Sequence, residues 1–140
     1  MAKSKVILKL LPLAAIAAAF YFSACWYLDP VSELYRIQLD SVSAPATIIY
    51  NADTLELKLW GKIGDDTCHS FAHFQAVQDS SGLELVVWGF FNPAYRKFCP
   101  GADVQLAGRE YRVRPLKRGI FTVTIRQPNG TVFKKFIEVI

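Results

Sequence analysis

Catalytic signatures are what this sequence has least of. It carries no G-x-S-x-G nucleophile turn, no glycine-rich phosphate loop and no H-E-x-x-H pair. The serine-hydrolase, nucleotide-binding and zinc-peptidase arrangements that need those spacings therefore lose their motif support. Histidine is scarce, at two residues, and cysteine at three, which leaves few soft or imidazole ligands for a metal. Helical periodicity is missing as well. Beyond residue 34 no stretch of ten residues keeps apolar side chains at the spacing of one helix face.

Acidic residues are absent from the start of the chain, the first being Asp29. Before it, Lys3, Lys5 and Lys9 precede nineteen residues, 10 to 28, without a charge. A basic beginning, an apolar middle and a small-residue exit make the layout of an export signal. An uncleaved membrane span is a second reading, since the run is about the minimum length for one. Against it, Pro12 interrupts the run and the alanines from Ala14 to Ala19 make its second half only weakly hydrophobic. A cleaved signal without lipid is the third.

The residues Phe22-Ser23-Ala24-Cys25 resemble a bacterial lipobox, in which small residues precede an obligatory cysteine. Ser23 and Ala24 fit the pattern, and Phe22 stands where an aliphatic residue is usual. The resemblance implies that residues 1–24 are removed as a signal peptide and that Cys25 becomes an acylated, palmitate-bearing first residue. The protein would then be held by its lipid in the bacterial cell envelope, facing the periplasm or the exterior. Oxidising conditions there make Cys68 and Cys99 the expected disulfide, with Cys25 the odd cysteine. A bridge closing that loop would contribute roughly 3–4 kcal/mol in the chain-entropy model.

The formal charge of +4 does not describe the exported part. Removing the three N-terminal lysines leaves thirteen basic and twelve acidic side chains. These are unevenly spread: residues 26–95 hold three basic and nine acidic groups, and residues 96–140 hold ten and three. Nucleic acid is not an expected partner for a near-neutral protein outside the cytoplasm.

Residues 25–34 contain Pro30 and read as a tether between lipid and domain. From residue 35 onward the pattern is alternation. Ile37 and Leu39, Leu55, Leu57 and Leu59, and Phe121, Val123 and Ile125 each alternate with polar neighbours. Asp79-Ser80-Ser81-Gly82 and Pro128-Asn129-Gly130 are turn compositions between such runs. In the last strand Lys135 shares the parity of Phe133 and Ile137 while Phe136 does not, which predicts a β-bulge near residues 134–136. Seven or eight short strands at this spacing indicate an all-β, antiparallel sandwich over residues 35–140. The chain resembles the small Ig-like β-sandwich domains of bacterial envelope lipoproteins. The likeness is carried by Ser43-Ala44-Pro45 before a strand, by Thr54 to Leu59, by Cys68 and Cys99, and by Leu116, Gly119, Phe121, Val123 and Ile125 ahead of the final hairpin.

Three groups of residues are candidate sites. Asp65, Asp66, His69 and His73 have metal-ligand chemistry, and a metal-dependent hydrolase built on them is one alternative. Strand periodicity opposes it, because residues four apart on a strand lie about 13 Å from each other. Both histidines are expected to face outward while Cys68, Ala72, Phe74 and Ala76 face inward. Trp60, Trp88, Phe90 and Tyr95 fall on parities too apolar for a simple solvent face, so they form a candidate surface for a glycan or an envelope protein. A loop such as 92–108 folded over that face would instead make a second small core. Arg112 and Arg114 share a strand face within a basic run that suits an anionic surface or an acidic protein. The expectation is a monomeric, non-enzymatic binding or structural accessory module without cofactor or bound metal. A carbohydrate-recognition module is the rival within binding.

Overall fold

Leu55, Leu57 and Leu59 are fully buried, while Lys58 between them is exposed and Glu56 is half-buried, so this strand buries one face only. The computed structural model describes residues 32–92 and 98–140. Residues 1–31 lie outside that range, and with them the expected signal, Cys25 and most of the tether. Among the described residues the protein is all-β. Its strands are β1 (Glu33–Arg36), β2 (Ser41–Ser43), β3 (Thr47–Ile48), β4 (Leu55–Trp60), β5 (Lys62–Asp66), β6 (His69–Gln78), β7 (Gly82–Phe91), β8 (Gly101–Gln105), β9 (Arg109–Val113), β10 (Gly119–Arg126) and β11 (Val132–Val139). Eleven strands thus stand where seven or eight were expected, because several, such as β2 and β3, are too short to show a period.

The strands form a six-stranded sheet in the order β1-β7-β10-β11-β3 with β6 also on β7, a three-stranded sheet β2-β4-β9, and the pair β5-β8. β7 is the hub of the large sheet. β6 lies antiparallel along one side of it; on the other side β1 pairs with residues 88–91 and β10 with residues 82–85. The buried faces of all three sheets meet in one core. Leu57 and Leu59 come from the small sheet, Leu85, Phe121 and Ile137 from the large one, and Ile63 from β5.

Two pairings depart from the expected antiparallel pattern: β10 runs parallel to β7, and β11 parallel to β3. Parallel neighbours need a long crossover. Here β8 and β9 supply it between β7 and β10, since they pair into the other two sheets before the chain returns. Gln127, 2% exposed, marks where β10 leaves β7 and the chain beyond β1 takes over. Its side-chain oxygen accepts the Leu39 N–H at 2.9 Å.

The expected bulge near residues 134–136 is not there. β11 pairs with β10 without a shift from Val132 to Val139, so Lys135 keeps its inward parity opposite Val123 and Phe136 points outward, 66% exposed. β3 pairs only with Glu138 and Val139, so Lys135 lies at an open edge where its flexible stem carries the ammonium to water. The bulge is instead in β6, where the register shifts between Phe71 and His73 and Ala72 has no partner on β7. At the other boundary, Glu33 and Leu34 pair with Phe91 and Phe90, so the last two residues assigned to the tether belong to the sheet.

Candidate functional site

The bulge at Ala72 decides which histidine goes where. Before it, His69 and Phe71 lie opposite Phe91 and Gly89; after it, His73 lies opposite Trp88 and Phe74 opposite the buried Val87. His69 therefore faces the inner side and His73 the outer, which corrects the expectation that both face out. An extra residue reverses the parity of everything beyond it. A metal site using both imidazoles is ruled out by this geometry.

Trp88 is the centre of the outer face. Arg36 of β1 and His73 of β6 are its cross-strand partners on either side. The Arg36 guanidinium lies 5.7 Å from the indole centroid, and the His73 ring lies 6.2 Å away with planes 20° apart. The indole N–H donates to the Gln75 side-chain oxygen at 2.9 Å. Val86 follows on the same face opposite Gln75, and Val77, 67% exposed, comes next along β6 opposite Glu84. The apolar strip ends at Glu84, which pairs with Arg126. The Arg126 guanidinium holds the Glu84 carboxyl below the usual carboxylate range. The result is a tryptophan locked in place by three polar neighbours with aliphatic surface next to it.

Phe90 shares this face, toward the end of the sheet, beside Leu34. Tyr95 lies outside the described residues. Of the loop expected to cover Trp88, the described part pairs with β5 through β8, Leu106 joins the core, and Phe98 borders a cleft with Phe90. Trp60 sits elsewhere, on the outer face of the small sheet, 37% exposed. A methyl group at Gly108 would lie 3.4 Å from its indole. Trp60 thus covers the turn Ala107-Gly108, both residues at positive φ, which joins β8 to β9. Trp60 and Trp88 lie on different sheets, each facing away from the core, and do not form one platform.

Arg112 and Arg114 do share a face with Trp60, and Arg112 is paired there with acidic neighbours. It contacts Glu56 at 3.1 Å and Glu110 at 2.8 Å, and Lys58 bridges the same two carboxylates at 3.4 and 3.8 Å. Arg114 donates to the Thr54 hydroxyl at 3.3 Å. The acidic and basic halves of the sequence are thereby matched across strands. Each such exposed pair contributes only about 0–1 kcal/mol, so the network balances charge more than it stabilises.

On the inner side, at the end of β6, His69 Nδ1 lies 2.8 Å from the Asp66 carboxylate. The imidazole packs between Phe91, at 4.7 Å, and the edge of Tyr35, at 5.8 Å. Two glycines make the room: a Cβ on Gly64 would strike the His69 ring, and one on Gly89 would lie 2.5 Å from the Tyr35 ring. The Tyr35 hydroxyl donates to the Ile63 carbonyl at 2.7 Å, and Cys68 is bonded to Cys99, so neither is a free nucleophile for an Asp–His pair. Asp66 and the two sulfurs lie within 4.8 Å of one another, but sulfurs already joined offer no thiolate.

Desolvation pushes the Asp66 carboxyl up, but hydrogen bonds from His69 and from the Cys68 N–H outweigh it and hold it below the usual range. A depressed folded value means this pair stabilises the fold above the unfolded aspartate value of about 3.9 and stops doing so as pH falls through the folded one. In His69→Phe the Asp66 midpoint is expected to rise, read from its carboxyl carbon by NMR titration. An unmoved midpoint would show that His69 does not set it.

Arg36, Gln75 and the inward His69 were missed by sequence reasoning. The signal for Arg36 and Gln75 lay in the register across strands, which a single sequence does not display. Comparison with protein-family models, curated proteins and solved structures finds no match to this chain.

Proposed function

We propose that this chain is a lipid-anchored protein of the bacterial envelope, an Ig-like β-sandwich that binds a protein partner and catalyses no reaction itself. The observation that carries the binding reading is the outer row Arg36, Trp88 and His73, continued by Val86 and Val77. Large aromatic side chains fixed by their neighbours lose little entropy on binding, which is why they anchor interfaces. A protein fits better than a glycan, since sugar stacking needs an open ring face and both faces of Trp88 have a neighbour. The sandwich reading is supported by the shared core of the large and small sheets. The anchor reading rests on Cys25 and the lipobox-like residues before it.

A photoreactive side chain at Val77 is expected to give discrete cross-linked species in the native envelope, and these should disappear in Trp88→Ala. The same probe at Lys58, in the charge-balanced face, should give none. Matching patterns from the two faces would remove the Trp88 surface as the binding site. For the anchor, Cys25→Ala should abolish both acyl labelling and membrane association. A variant equally processed and equally membrane-bound would sink the lipoprotein reading.

A further inference from the structure

Phe98 is 80% exposed, yet the chain that follows it is tied down. Its neighbour Cys99 is bonded to Cys68, and the Thr67 N–H donates to the Pro100 carbonyl at 3.1 Å. The phenyl ring borders a shallow cleft with Thr67, Ser70, Phe90 and Asn92. Leu34, 55% exposed, is the cross-strand partner of Phe90 on the outer face. Leu34, Phe90 and Phe98 thus form an apolar end to the large sheet. Burial stabilises an apolar side chain of this size, so water is a poor environment for a phenylalanine held in place.

The first strand begins at this same end. Glu33 pairs with Phe91, the last residue of β7, while Ser81 and Gly82 mark the other end, ten residues away, about 30 Å at the usual strand rise. Between Cys25 and Glu33 lie seven residues, so the two are eight steps apart and at most about 29 Å when fully extended. Whatever membrane holds Cys25 or the apolar run before it is therefore within reach of Phe98. Among the described residues nearby, Lys62 pairs with Asp65 and Asp103, and His69 with Asp66.

We propose that this end is a bilayer-docking surface, on which Leu34, Phe90 and Phe98 rest in the headgroup region and orient the domain so that the Trp88 row stands clear of the lipid. The proposal rests on the membrane-anchored reading of the N-terminus. Phe90 then belongs to the lipid contact more than to the partner surface. Leu34, Phe90 and Phe98 are all apolar, so apolar contact drives the docking, and anionic lipid is not required.

The test uses the full chain in phosphatidylcholine nanodiscs containing a headgroup-nitroxide lipid, with backbone amides observed by NMR. Broadening is expected to be several-fold greater at Leu34, Phe90 and Phe98 than at Ser81 and Gly82. Leu34→Asp with Phe98→Asp should even it out while the chain stays in the nanodisc fraction. A wild-type chain that stays with the nanodiscs but broadens equally at both ends would overturn the docking and leave the anchor standing. A chain that does not stay with them at all would overturn both. Broadening at Leu34 that requires added phosphatidylglycerol would overturn apolar docking.

Discussion

Phe121→Ala is expected to destabilise the protein by about 3–5 kcal/mol, the usual cost of emptying a phenylalanine site in a packed core. Phe121 is the largest of the fully buried side chains, 2% exposed, and its strand pairs with β7 on one side and β11 on the other. It lies opposite Ile137 in the strand that joins the parallel and antiparallel parts of the large sheet. Domains of this size have roughly 5–15 kcal/mol in total, so the loss takes a large fraction of it. In urea the midpoint should fall with the slope unchanged. A loss below about 1 kcal/mol would mean that the site collapses around the alanine and that the core there is loosely packed.

The second large effect is removal of the Cys68–Cys99 disulfide. The two cysteines are 31 residues apart, and closing such a loop stabilises by roughly 3–4 kcal/mol in the chain-entropy model. The paired substitution Cys68→Ser with Cys99→Ser should lower the urea midpoint accordingly. Reductant should shift the wild type by a similar amount and the variant not at all. An unaffected wild type would show that the bridge does not form in the folded protein. The bridge also fixes Phe98, so the variant is expected to lose the broadening at that residue before it loses anchoring.

The parts of the fold that came from local chemistry were legible beforehand. The alternation of Leu55, Leu57 and Leu59, and of Phe121, Val123 and Ile125, gave the inner faces correctly because side-chain direction on a strand has a fixed period of two. Two turns also appear as expected. The Asp79 carboxylate accepts the N–H groups of Ser81 and Gly82 at 2.6 and 2.9 Å, and Gly130 has a φ of 84° in the last hairpin. What was not legible depends on long-range pairing. A period of two does not distinguish a parallel from an antiparallel neighbour, so β7 beside β10 was missed. Nor does it reveal an inserted residue, which is why Ala72 misplaced His69. The opposite charges of the two halves were visible, but the partners were not: Arg112 with Glu56 and Arg126 with Glu84 are 56 and 42 residues apart.

The pairing of β3 with β11 has a consequence for when the fold is completed. Residues 47 and 48 find their neighbours at 138 and 139, and β7 waits for β10. Contacts so distant in sequence make folding slow, because a long loop must close before the pairing rewards it. The sheet that builds the core cannot be finished until residues 138 and 139 have been synthesised. Before that point β7 and β3 lack the neighbours that close the large sheet, so its core is gained late and together.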